Sequence, residues 1–258
     1  MATRERNGEK TGGAMALLEV RGVGKTFGSL RALDGVDVTV NANSFHGLIG
    51  PNGSGKSTLL KAIAGDHFAS EGTITFDGED ITRARPANRS RLGLSLKFQI
   101  TAVLPELSVY DNALLSLQAH RSIWTLLRSK SRQELDDELM DTLERFQLVD
   151  RADDLAGELS HGQQQWLEIA MALIQRPKLL LLDEPTGGMS PEERRATGEL
   201  LAPIRDHCAL VIVEHDLDFI KDICDRLTVL ESGRVLDDGS VEEIERSTKV
   251  QEVYTTRV

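Results

Sequence analysis

The chain has 258 residues, with 30 Lys and Arg against 41 Asp and Glu and a formal net charge of −11. Apolar residues make up 40% and charged residues 28%, which fits a globular protein and excludes collagen-like, low-complexity and largely disordered classes. The acidic balance excludes a general nucleic-acid binder, so any polyanion must be held by a local site against the overall field.

Residues 1–14 are polar, lack the apolar segment of a secretory signal and are expected to form a disordered tail. Ordered sequence begins near Met15. Ala16 to Val20 has strand-like content, and Val36, Val38 and Val40 alternate with period two. Phe45 to Ile49 is a short apolar run before a glycine-rich turn, and Ser57 to Ala64 reads as a helix. Gly72 to Phe76 alternates again and closes on the tight-turn pair Asp77-Gly78.

The character changes after about residue 99. Leu135, Leu139, Leu143 and Phe146 recur at helical spacing over 131–147, with Ser131 and Glu134 in a capping-box pattern. Ser160 and Gln163 repeat that pattern ahead of a helix carrying Trp166, Ile169, Ala170 and Leu173. Leu179–Leu182 and Leu210–Val213 read as buried strands separated by a polar helical stretch. Leu227 to Glu231, Ser232-Gly233 and Arg234 to Leu236 read as a terminal hairpin. The two cysteines, Cys208 and Cys224, are too few for a disulfide scaffold or a metal cluster and read as small core residues in a reducing compartment. No apolar run approaches the ~18 residues that span a bilayer.

The strongest chemical signal is Gly50-Pro51-Asn52-Gly53-Ser54-Gly55-Lys56-Ser57, with Thr58 next in the helix. It matches G-x-x-x-x-G-K-[ST] between an apolar strand and a helix, as a phosphate loop requires. Glycines let successive N–H groups converge on one phosphate, and the helix N-terminus adds partial positive charge. Lys56 is placed to reach β- and γ-phosphates, and the Ser57 hydroxyl to ligate Mg²⁺. Leu179 to Leu182 ends in Asp183-Glu184, supplying a carboxylate for the metal shell and a base to polarise an attacking water.

Leu159-Ser160-His161-Gly162-Gln163 resembles the LSGGQ signature of ATP-binding cassette proteins and lies ahead of the aspartate–glutamate strand, as in that family. Gln99 resembles its Q-loop glutamine, near the metal and attacking water, and His215 its switch histidine. Phe27 lies where the family stacks an aromatic on adenine, with core packing as the competing reading. His46, His67, His120 and His207 read as structural. The resemblance, over residues 16–258, implies an α/β fold: a P-loop NTPase (RecA-like) core with an antiparallel β subdomain and an inserted α-helical subdomain at about 100–165. It implies ATP and Mg²⁺ as cofactors. Catalytic roles fall on Glu184, His215 and Gln99, and metal contacts on Ser57, Gln99 and Asp183. Nucleotide contacts fall on Phe27, residues 50–58, and Ser160, Gly162 and Gln163. Two positions depart from the pattern: His161 replaces the second signature residue, usually glycine, and Ser190 stands where the D-loop usually has aspartate.

A second phosphate site in one chain implies a second cassette, identical or paralogous, facing the first head to tail. Leu96-Lys97-Phe98-Gln99-Ile100, the stretch from Leu159 to Pro185, Gly187-Gly188-Met189 and the C-terminal Val250 to Tyr254 resemble the ATPase subunits of urea and branched-chain amino-acid importers. That resemblance implies two transmembrane permease subunits, an extracytoplasmic solute-binding protein indirectly, no nucleic acid, and a peripheral position on the cytoplasmic face of the cell membrane. Ile123 to Leu127, flanked by basic residues, either meets a membrane partner or packs locally. A soluble cassette ATPase without a transport role, such as an assembly factor, is the alternative.

Overall fold

The computed structural model describes residues 16–97, 103–119 and 132–255. The first half of the chain runs β1 (Ala16–Phe27), β2 (Leu30–Asn41), β3 (Phe45–Ile49), α1 (Lys56–Ala64), β4 (Glu71–Phe76), β5 (Glu79–Asp80), α2 (Pro86–Leu92) and β6 (Leu94–Lys97). Next come α3 (Val109–Ala119), α4 (Arg132–Arg145), α5 (His161–Leu173), β7 (Leu179–Asp183) and α6 (Pro191–Leu201). The chain then forms β8 (Ala209–Val213), α7 (Leu217–Ile223), β9 (Arg226–Glu231), β10 (Arg234–Ser240), α8 (Val241–Arg246) and α9 (Thr248–Thr255).

Two sheets organise these elements. The smaller is antiparallel in the order β2-β1-β4-β5. Val36, Val38 and Val40 are buried while Asp37, Thr39 and Asn41 face out, the alternation expected of a half-buried strand. Asp77 and Gly78 both take positive φ, which suits the tight turn between β4 and β5. The larger sheet runs β10-β9-β3-β8-β7-β6, parallel except for its β10 edge.

The parallel strands are covered on both faces, so they read as continuous apolar runs. Leu179 and Leu181 join Leu59, Ile63 and Val36 in the core between the two sheets. Leu180 and Leu182 point the other way, into a core with Phe146, Trp166, Leu167 and Ile169 from the helices. Register aligns Leu48 and Asp183 with Val213, so Gly50, Glu184 and Glu214 emerge from one carboxyl edge of the sheet. Ligands bind at that edge in open α/β sheets.

The hairpin of β9 and β10 forms where the sequence places it but is not terminal, because α8 and α9 follow it. Val250 to Tyr254 lie within α9. Cys208 and Cys224 are buried, and burial pushes the Cys208 thiol up to about 12 and the Cys224 thiol up as well. His46 is buried against the Thr228 hydroxyl at 2.7 Å. Gln99, His120, Ile123 to Leu127, Ser131 and residues 1–14 lie outside the described residues.

One buried cation fixes the far end of α1. Arg89 is fully buried, and its guanidinium donates to the carbonyls of Ala62 and Ile63 at 2.7 and 2.6 Å, and to those of Ala84 and Thr82 at 2.9 and 3.3 Å. Burial pushes its pKa down to about 10, leaving it charged at neutral pH. It replaces the partners that the last carbonyls of a helix lack. Arg89→Met removes all of these donors without emptying the space, and stability is expected to fall by about 3 kcal/mol. Urea unfolding monitored by circular dichroism measures it; a loss below about 1 kcal/mol would mean that water serves these carbonyls equally well.

Candidate nucleotide site

The loop from Gly50 to Ser57 is built by backbone constraints before any ligand chemistry. Gly50 has φ 144, and a Cβ there would sit 2.1 Å from the Leu230 carbonyl oxygen, so only glycine lets the loop leave β3 this close to β9. The loop is pinned from outside as well, because Gly233 N donates to the Ser54 carbonyl at 2.9 Å. At its end α1 begins on Gly55 with no side-chain cap and no acidic residue in the first turn. Its first N–H groups therefore remain for an anion.

Lys56 is buried, and its Nζ donates to the carbonyls of Gly50 and Pro51 at 2.8 and 3.1 Å. Burial lowers its pKa, while Glu184 and Asp183 work in the opposite direction. The Ser57 hydroxyl donates to Asp183 Oδ1 at 3.3 Å across 126 positions of sequence. Asp183 is only 6% exposed, and burial raises its carboxyl above the ordinary carboxylate range despite the Ser57 hydrogen bond. A hydroxyl and a carboxylate side by side beneath an uncapped helix are hard oxygen donors that fit Mg²⁺. No cluster of three His, Cys, Asp or Glu occurs among the described residues.

An open cleft of about 510 Å³ lies over this loop, within the range of small-ligand pockets. Asn52, Gly53, Gly55, Lys56, Ser57, Thr58 and Glu184 line it. Leu30, Arg31 and Ala32 of β2 and the turn residues Ser232 and Gly233 complete the wall, none of which sequence reasoning assigned to a site. Their contacts join positions nearly 200 residues apart, as the Asp34 N–H donating to the Gly233 carbonyl at 2.8 Å illustrates, and no local pattern announces them. Phe27 is 41% exposed, which removes core packing as its role. It meets His67 edge-on at 5.2 Å with the Lys25 ammonium 4.8 Å from its ring centre, and it is not among the cleft-lining residues.

Glu184 adopts φ 51, a left-handed conformation that costs a non-glycine residue on the order of 1 kcal/mol. Its N–H donates to the Val213 carbonyl at 2.9 Å, and its carbonyl accepts from Gly187 N at 3.2 Å, which holds the turn. Glu214, missed by the sequence reading, is fully enclosed between this turn and His215. One carboxylate oxygen takes Thr186 N and Oγ1 at 2.9 and 2.6 Å; the other takes His215 N at 3.2 Å. The His215 ring is 68% exposed on the same edge. Ser160 and Gln163 form the expected capping box of α5, but Ser160, Gly162 and Gln163 are absent from the cleft wall of their own chain.

Residues 33–187, more than half of the chain, match the ABC transporter family model. The chain belongs to the ABC transporter family. A high-affinity branched-chain amino acid transport ATP-binding protein, LivG of Salmonella typhimurium, is 32% identical over 249 residues, spanning 92% of this chain and 97% of that protein. A crystal structure of an ATP-binding cassette of an ABC transporter in its ADP conformation has a TM-score of 0.84 at 32% identity, covering 94% of this chain and 99% of that one. A dimeric cassette in a post-hydrolysis state bound to ADP and Pi has a TM-score of 0.76 at 25% identity, covering 87% and 98%. The fold is thus that of a P-loop ATPase cassette, and the chain is an ATPase.

Asp183 yields a pH-linked prediction. A carboxyl whose folded pKa is raised contributes stability that is present below its unfolded value of 3.8 and lost as pH rises through the folded value. At pH 7.5 its charge therefore weighs against the nucleotide-free fold. Asp183→Asn is expected to raise Tm without nucleotide while removing the Mg²⁺ dependence of ATP binding. Differential scanning calorimetry and ATP titrations with and without Mg²⁺ test this. A lower Tm with intact Mg²⁺ dependence would contradict it.

Proposed function

We propose that this chain is the ATP-hydrolysing subunit of an importer for small polar solutes of the branched-chain amino acid, urea or amide class. The observation that carries the reading is the incompleteness of the cleft: Ser57 and Asp183 meet at 3.3 Å beneath the loop, while the Ser160-capped helix lies outside it. A second cassette placed head to tail would bring its Ser160, Gly162 and Gln163 onto the exposed side of the nucleotide. The likeness to LivG supports import over a soluble assembly role.

The loop N–H groups within 52–58 and Lys56 hold the phosphates, the lysine exchanging its two carbonyl contacts for phosphate oxygens. Ser57 and Asp183, with Gln99, hold Mg²⁺, which when bound neutralises charge on the β- and γ-phosphates. Glu184 takes the proton of the attacking water, His215 steadies the γ-phosphate, and Phe27 flanks the adenine. Positioning and charge neutralisation supply most of the rate in phosphoryl transfer. The partners are a second cassette, two permease subunits and, indirectly, an extracytoplasmic solute-binding protein. The subunit sits peripherally on the cytoplasmic face of the membrane; no helix among the described residues is long and apolar enough to cross a membrane.

Glu184→Gln tests this reading, since it keeps the size and shape of the side chain but exchanges one acceptor oxygen for an NH2 donor and removes its basicity. It is expected to bind ATP with unchanged affinity and to lose turnover by at least about a hundredfold. With Mg·ATP, the tagged variant should co-purify from detergent-solubilised membranes with two polytopic proteins and a cassette. Recovery of soluble proteins alone would overturn the importer role, and undiminished turnover would remove Glu184 as the base.

A further inference from the structure

His161, which departs from the family's signature glycine, has a specific partner. Its Nε2 donates to the Gly187 carbonyl at 3.0 Å, which fixes the proton on that nitrogen in the neutral ring. Gly188, at φ 77, lets the ring lie against the backbone; a Cβ there would be only 3.3 Å from the imidazole. Gly187 is also the residue whose N–H closes the turn on the Glu184 carbonyl at 3.2 Å. One residue, Gly187, thus links the His161 contact to the carbonyl of the strained residue that carries the base.

The same two segments meet at a second point. Gly162 packs so closely on α6 that a Cβ would fall 2.5 Å from Glu193 Oε1, and Glu193 closes the capping box of Ser190. The Ser190 hydroxyl accepts from Glu193 N at 3.2 Å and its N–H donates to Glu193 Oε2 at 2.9 Å; as a serine it has no carboxylate of the kind the usual aspartate would offer. Two helix N-termini, those of α5 and α6, are therefore joined within the chain, and His161 extends the joint to the turn of Glu184.

We propose that His161 is a positioning residue that ties the signature helix to the Glu184 turn. Resting on the head-to-tail reading above, the tie makes closure of α5 on a partner's nucleotide felt at this chain's own base. Neither His161 nor Gly187 lines this chain's own cleft, so the tie is expected to act on the base and leave this chain's own nucleotide contacts in place.

The test compares steady-state ATP hydrolysis of the full chain with three variants. His161→Phe keeps a ring against Gly188 but has no donor, His161→Gln keeps a donor near the position of Nε2, and His161→Gly restores the family residue. The Phe and Gly variants are expected to lose about fivefold in kcat, the worth of one neutral hydrogen bond, with KM for ATP unchanged within twofold. The Gln variant should recover most of that loss, and all three should melt within a few degrees of the parent. Equal kcat in the Phe variant, or no recovery in the Gln variant, would overturn the tie, as would a change confined to KM. ATP-driven dimer formation by the Glu184→Gln variant, with itself or with the cassette that co-purifies with it, read by light scattering, separates the two levels. Its absence would sink the head-to-tail reading, whereas a dimer with unaffected His161 variants would sink only the tie.

Discussion

The constraint on which the site depends is the common register of three parallel strands. Because β3, β8 and β7 run side by side, the segments that follow them emerge at one edge of the sheet. That edge carries the phosphate loop, the Glu184 turn and the Glu214-His215 pair. The Ser57 to Asp183 contact is its tightest expression, and it needs the backbone of Gly50 to pass against the Leu230 carbonyl. A methyl group at that one position would displace the loop from β9 and move Ser57 relative to Asp183. Arg89 secures the same helix from its other end through the carbonyls of Ala62 and Ile63.

Around this frame the protein holds groups in states they would not adopt alone. Asp183 is buried with a raised pKa, Lys56 is buried with a lowered one, and Glu184 sits in a left-handed conformation. Each costs stability in the nucleotide-free protein and each faces the same cleft or its floor. Strain gathered at one place and supported elsewhere is characteristic of sites whose groups are set in position before the ligand arrives. Glu214 supplies much of that support, since its buried carboxylate joins Thr186 to His215.

The elements most legible in the sequence were those governed by local rules. The alternation in β2, the apolar run of β7, the Asp77-Gly78 turn and the Ser160 capping box depend on neighbours within a few residues, and the structure forms all of them. The Gly50 to Ser57 loop was legible because its chemistry is concentrated in eight consecutive positions. The wall formed by Arg31, Ser232 and Gly233 was not, because their approach to the loop is set by sheet order and leaves no periodic trace. Glu214 was overlooked for a related reason: a carboxylate beside a histidine at a strand end resembles a solvated turn until its burial is known. The hairpin read as terminal is succeeded by α8 and α9, whose short length gives periodicity little room to declare itself.

The central claim is that one cleft binds the phosphates through Ser57 and Asp183 and is finished by a second chain. A crystal structure of the Glu184→Gln protein with Mg·ATP tests it most directly. The account predicts Ser57 Oγ in the metal shell, Asp183 within hydrogen-bonding reach of it, and Ser160 of a facing copy on the γ-phosphate. ATP enclosed by a single chain, with Ser160 turned to solvent, would contradict it.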